Sequence, residues 1–194
     1  RRPYWDQDGV HEIFRQWRKI LDSYPGDRMA VAEAWVSPPS RLALYLRPDE
    51  LANSFNFDFL GCPWEPTRLK KMINRSIEAL AHVGRPASWV FNNHDVVRSV
   101  DRFDLGLIAG KTHTTLERQG DVSKLDLHRG TLRARAVALL VLALPGGAYV
   151  YQGEELAWPD ARGSPEDRPT RPRWRMGKRS DRGRVGCRTG TCPG

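Results

Sequence analysis

The chain has 194 residues, with 31 Lys and Arg against 23 Asp and Glu, 40% hydrophobic and 9% aromatic side chains, and three cysteines. That length supports one domain with a buried core, and the odd, sparse cysteine count excludes a disulfide-held mini-scaffold and fits a reducing compartment. No apolar run approaches the roughly 20 residues that a membrane helix needs.

In chain order, Val10, Ile13, Phe14, Trp17, Ile20 and Leu21 fall at helical spacing, and Pro25-Gly26 ends that helix. Met29 to Trp35 is short and nearly all apolar, the pattern of a strand buried on both faces. Asn53 to Leu60 alternates Phe55, Phe57 and Phe59 with Ser54, Asn56 and Asp58, which predicts a second strand. Leu69, Met72, Ile73, Ile77 and Leu80 predict a helix whose first turn holds Pro66. Ala87 to Asn92 reads as a third strand. Val100 to Gly130 is polar and irregular, and reads as a long loop. Thr131 to Leu144 predicts a long apolar helix, closed by Pro145-Gly146-Gly147, and Ala148 to Tyr151 a fourth strand.

Alternating strands and helices imply parallel pairing through right-handed crossovers. An open sheet or part of a (β/α)8 barrel satisfies that order. The glycine fingerprints of nucleotide-binding folds are missing.

The basic charge is uneven. Residues 1–160 hold 21 basic and 20 acidic side chains, net +1, whereas residues 161–194 hold 10 and 3, net +7. Residues 161–194, with six Gly and four Pro, have too few apolar side chains to offset ordering entropy and read as a disordered Arg/Gly/Pro-rich tail. A solvated tail is the first reading and a nucleic-acid-binding arm the weaker second. Cys187 and Cys192 lack further partners for a metal site. Cys62, beside Gly61 and Pro63, reads as a packed thiol.

Candidate chemistry collects where predicted strands end. Glu33 lies inside an apolar run, where a carboxyl loses solvation and gains proton-donor character. Trp35 lies two residues on, on the same strand face. The alternative is a structural ion pair of Glu33 with Arg28 or Arg98. Asn92-Asn93-His94-Asp95 leaves a buried strand, the position from which α/β folds present ligand-binding groups. Asp95 could instead cap the following helix. This segment offers too few ligands for a metal. Two carboxylates at the ends of separate strands are the raw material of glycoside hydrolysis, a weak signal by itself.

Three segments carry a closer likeness: Ala32-Glu33-Ala34-Trp35; Phe91-Asn92-Asn93-His94-Asp95-Val96-Val97-Arg98; and Pro145-Gly146-Gly147-Ala148-Tyr149-Val150-Tyr151-Gln152-Gly153-Glu154-Glu155. In this order they resemble the last three signature regions of the α-amylase superfamily, glycoside hydrolase family 13. Trp5 to Ile13 and Phe55 to Leu60 look most like its α-glucosidase and oligo-1,6-glucosidase members, and Glu-Ala-Trp favours these over trehalose synthases. The likeness covers about residues 3–158.

The resemblance implies an α/β fold, a partial (β/α)8 TIM barrel holding about strands five to eight, with the catalytic domain in residues 1–160 and the tail in 161–194. It implies Glu33 as general acid/base, Asp95 as transition-state stabiliser, His94 as its assistant and Arg98 as a sugar contact. It implies an α-glucosidic oligosaccharide substrate, retention of configuration, and no organic cofactor. The nucleophile, an Asp within a Gly-Phe-Arg-x-Asp-like segment of this family, has no counterpart in the 194 residues and would lie upstream of Arg1. A full barrel takes about 250 residues, so open barrel edges and self-association are expected.

The start, Arg1-Arg2-Pro3-Tyr4-Trp5-Asp6, has no apolar stretch after its charges and does not read as a signal peptide. Without an initiator Met, the chain is expected to begin inside a longer product, and a cytoplasmic location is expected. The unpatterned tail suggests a reading-frame change near Trp158.

Overall fold

A computed structural model describes residues 4–107 and 124–160. The tail, its two cysteines and the middle of the Val100–Gly130 segment lie outside the described residues.

Helix α1 (Val10–Asp22) follows from the periodic apolar face. Its His11 is buried, with Nδ1 2.7 Å from Oε2 of the fully buried Glu50, which Arg47 and Arg15 also approach. Strand β1 is short, Val31–Ala32. Helix α2 (Pro39–Leu44) starts at a proline whose missing N–H costs nothing in a first turn. Nε and Nη2 of its Arg41 donate to the Asp6 carboxylate at 2.9 and 2.8 Å, and the Tyr45 hydroxyl donates to the same group at 3.0 Å. These bonds fix the segment around Asp6 to α2, and burial, together with the hydrogen bond and charge of Asp6, pushes the Tyr45 hydroxyl up to about 12.

Strand β2 (Asn53–Ser54) runs parallel to β1, with Val31 opposite Asn53. The expected strand over Asn53–Leu60 stops there. The Asn56 side chain accepts the Phe59 N–H at 3.0 Å and caps a helical turn, α3 (Phe57–Leu60). A side chain that offers a turn its first acceptor overrides the period-two pattern of phenylalanines. Helix α4 (Pro66–Ala81) matches its prediction, burying Leu69, Ile73 and Leu80.

Strand β3 (Ser88–Trp89) pairs in parallel with β4 (Gly147–Ala148). Between them lie α5 (Ser99–Asp104) and α6 (Leu127–Ala143), which replace both ends of the expected loop. Asp126 accepts the Arg129 N–H at 3.1 Å and starts α6 four residues before the apolar pattern does. Gly130 lets α6 meet α5 closely, since a Cβ there would lie 2.3 Å from the Val100 carbonyl oxygen. Gly146, at φ +122°, brings β4 onto β3, where a Cβ would lie 2.0 Å from the Ala87 oxygen.

The two strand pairs are joined by side chains. Asn53 donates to the Tyr149 hydroxyl at 3.1 Å and accepts a hydrogen bond from Ser88. The main core gathers Leu46, Phe59, Trp89, Phe91, Phe103 and Val137 beneath these strands.

The reading of Met29–Trp35 as a strand buried on both faces is corrected. Met29 is 58% exposed and Val31 38% exposed. Among the described residues β1 pairs only with β2, and an edge strand keeps one face dry only where a further layer covers it.

Candidate active site

Glu33 directly follows β1 and is exposed. The desolvated carboxyl expected from the sequence is therefore not present. Trp35 stacks on Phe57, ring centroids 4.1 Å apart, rather than enclosing an acid, and its carbonyl accepts the Trp5 indole N–H at 3.0 Å. The structural alternative fails as well. Arg28 donates to the Asp27 carbonyl and Arg98 to the Gln152 carbonyl, and no ion pair of Glu33 forms among the described residues.

Trp35 and Phe57 continue into an aromatic group at the strand exits. Phe55 lies 6.0 Å from Phe57, and Tyr149 meets Phe55 edge-on at 4.6 Å. β1, β2 and β4 thus each deliver a ring to the end of the molecule where Glu33 stands, and flat apolar rings with a phenol tip suit one face of a sugar.

The second part of the site is the loop that leaves β3. Asn92 is buried, and its amide closes the loop's base: Oδ1 accepts the Ser99 N–H at 2.7 Å, and Nδ2 lies 3.1 Å from the Ser99 hydroxyl. Asn92, not Asp95, thus serves the start of α5, which corrects the reading of Asp95 as its cap. The Asp95 N–H donates to the Asn93 side chain at 2.9 Å, forming a local turn in the loop. His94 Nε2 lies 3.5 Å from Asp95 Oδ2, and the His94 side chain is 63% exposed. Arg98 reaches the turn after β4: Nη1 donates to the Gln152 carbonyl at 2.9 Å, and its guanidinium carbon lies 5.0 Å from the Tyr151 ring centroid.

Beneath the loop lies the fully buried Arg102. It donates to the carbonyls of Val97 at 3.2 Å and Leu60 at 2.9 Å, and to that of Phe91. Burial pulls its guanidinium down to about 10 against the pull of the nearby Glu154 charge, so it remains a cation at neutral pH. Glu154, in the turn after β4, is itself buried; Asn92 donates to Oε2 at 2.8 Å and the Tyr151 N–H at 3.4 Å. Desolvation pushes its carboxyl up to about 7, opposed by those two bonds and by Arg102 and aided by Glu155.

The structure thus brings His94 and Asp95 together and places Glu33 and the 92–98 loop after the C-terminal ends of parallel strands, the ligand end of such folds. Asn92 and Glu154 stand in segments that the sequence singles out, without a role assigned to either, and Arg102 lies outside those segments. The rule that drew attention to His94 and Asp95, polar residues at a strand exit, applies equally to Glu154. Among the described residues no three His, Cys, Asp or Glu side chains gather as a metal would require, and no helix is long and apolar enough to cross a membrane. Cys62 is buried, and desolvation raises its thiol to about 11, so it is inert as a nucleophile near neutrality.

The chain matches the family described as alpha amylase, catalytic domain, over residues 1–184. That match runs past residue 158, where the motif likeness ended. A probable alpha-glucosidase of Rhizobium meliloti (strain 1021) is 29% identical over 165 residues, covering 80% of this chain and 25% of that protein. The oligo-1,6-glucosidase of Parageobacillus thermoglucosidasius is 27% identical over 175 residues, covering 83% and 27%. Maltase A1 of Drosophila melanogaster is 28% identical over 172 residues, covering 84% and 25%. The crystal structure of an alpha-glucosyl transfer enzyme, XgtA, aligns with a TM-score of 0.60 at 25% identity, over 83% of this chain and 26% of that one. The chain spans about a quarter of the length of the curated relatives it matches. The likeness makes the two parallel strand pairs part of an α/β barrel rather than of an open sheet.

Proposed function

Because this chain belongs to the alpha-amylase catalytic-domain family, we propose that it carries the proton-transfer and charge-stabilising half of a retaining α-glucosidase that acts on α-1,4- or α-1,6-linked short oligosaccharides. The observation that carries this reading is the placement of Glu33 and Asp95 after the C-terminal ends of parallel strands β1 and β3. In family terms these strands correspond to the fifth and seventh of the barrel.

In this mechanism Glu33 protonates the glycosidic oxygen as the bond to the anomeric carbon breaks, and later takes a proton from the attacking water. Asp95 holds hydroxyls of the glucosyl ring while positive charge develops, His94 supports it, and Arg98 contacts the sugar near the point of cleavage. Retention needs a second carboxylate as nucleophile to form the glycosyl-enzyme intermediate. None of these 194 residues fills that place by motif. The exposed Glu33 also lacks the enclosure that a proton donor uses, which the remaining strands of a complete barrel would provide.

The 194-residue chain alone is therefore expected to show no measurable turnover of p-nitrophenyl α-glucoside. Robust release of nitrophenol that Glu33→Gln abolishes would overturn the assignment of an incomplete site, since removal of a working catalytic carboxyl costs orders of magnitude in rate. The absent nucleophile motif favours a second reading, in which the chain holds a glucosyl unit without cleaving it.

A further inference from the structure

The loop that presents His94 and Asp95 is fixed at its base, and the fixing groups come from two separate parts of the chain. Asn92 and Ser99 close the loop on itself through two hydrogen bonds. Arg102 holds the carbonyls of Phe91 and Val97, one at each end. These contacts are local to residues 91–102. The turn after β4 ties the loop to the next strand. Glu154 Oε2 accepts from Asn92 at 2.8 Å, and Arg98 returns to the Gln152 carbonyl at 2.9 Å.

The asymmetry between these two links is informative. Arg98 is partly exposed and swings on a long side chain. Asn92 and Glu154 are both buried, short of rotamer freedom, and meet through a hydrogen bond assisted by charge. Glu154 also accepts the Tyr151 N–H, so one carboxylate oxygen is shared between the turn and the loop. The buried Arg102 cation, whose charge acts on Glu154, reaches the loop ends directly. A residue that touches both sides of this junction sets the angle at which the loop leaves β3.

We propose that Glu154, acting through Asn92, is the positioning residue that clamps the 92–99 loop to the turn after β4 and so sets where Asp95 and Arg98 stand. The clamp deepens the glucosidase reading, because it names what aims the charge-stabilising groups, but it is itself a statement about loop geometry. Glu154 is assigned no contact with substrate. Glutamine at this position retains an acceptor for Asn92 and Tyr151, whereas alanine removes it and leaves Asn92 bonded to Ser99 alone, with no tie to the turn.

The test is amide hydrogen exchange by mass spectrometry on the full chain at pH 8, without sugar. It compares peptides covering 93–99 with peptides covering α4. Glu154→Ala is expected to speed exchange in 93–99 by about tenfold while α4 is unchanged, and Glu154→Gln to restore protection, because the loop then opens separately from the core. Unchanged exchange in 93–99, an equal rise in α4, or a Gln variant no better than Ala each overturns the clamp. If the alanine variant does not fold, Asn92→Asp takes its place. It sets a carboxylate against a carboxylate and is expected to loosen the same peptide, and protection equal to wild type overturns the proposal. Sugar plays no part in this readout, so a failed glucosidase reading and a failed clamp give different results.

Discussion

Arg102→Met is expected to cost about 3–5 kcal/mol, since each buried carbonyl left without its donor costs about 1–3 kcal/mol. The arginine is fully buried and supplies donors to the carbonyls of Leu60, Phe91 and Val97. These three carbonyls belong to the end of α3, the exit of β3 and the site loop. Methionine fills much of the volume but donates nothing, so all three oxygens lose a partner in a place with little access to water. Domains of this size are stable by only about 5–15 kcal/mol, so a loss of this size leaves a marginal fold. Urea unfolding followed by circular dichroism gives the value. A loss below about 1 kcal/mol would mean that the three carbonyls find other donors and that Arg102 does not organise the loop.

Glu154→Gln is expected to stabilise the protein at pH 8 and to leave it nearly unchanged at pH 4. Burial raises the folded-state carboxyl from its ordinary value of 4.5 to about 7. The folded chain therefore holds a proton between these limits that the unfolded chain has released. Stability attributable to Glu154 is full below about 4.5, falls as pH rises towards 7, and is flat above it. The full effect is at most about 3 kcal/mol. Arg102 and the Asn92 amide favour the ionised form, whereas desolvation and Glu155 oppose it. The measurement is the difference in unfolding free energy between wild type and Glu154→Gln across pH 4–8. A difference independent of pH contradicts a titrating buried carboxyl. The glutamine variant is thus expected to keep the clamp while removing its electrostatic cost.

The helices were legible because their signals are local. The apolar spacing of Val10–Leu21 lies within α1, and that of Leu69–Leu80 within α4. The start of α6 was missed by four residues because the apolar face begins after the Asp126 cap. Strand positions were legible and strand lengths were not. Phe55, Phe57 and Phe59 alternate as a strand would, yet the Asn56 side chain turns the backbone into α3. Burial of Glu33 was misjudged because the covering of an edge strand depends on chain far away in sequence, not on the apolar run that contains the residue. The same reason hid the clamp. Asn92 and Glu154 are separated by 62 positions, and neither residue by itself suggests the other.

If Glu33 and Asp95 attend one glucosyl ring, titration calorimetry of the purified chain with maltose detects both. Weak but measurable binding is predicted, reduced at least about tenfold, or 1.4 kcal/mol, by Asp95→Ala. Glu33→Gln is predicted to weaken binding as well, while Lys71→Ala on the exposed face of α4 leaves it unchanged. No heat of binding, or binding indifferent to both acidic residues, would contradict the claim.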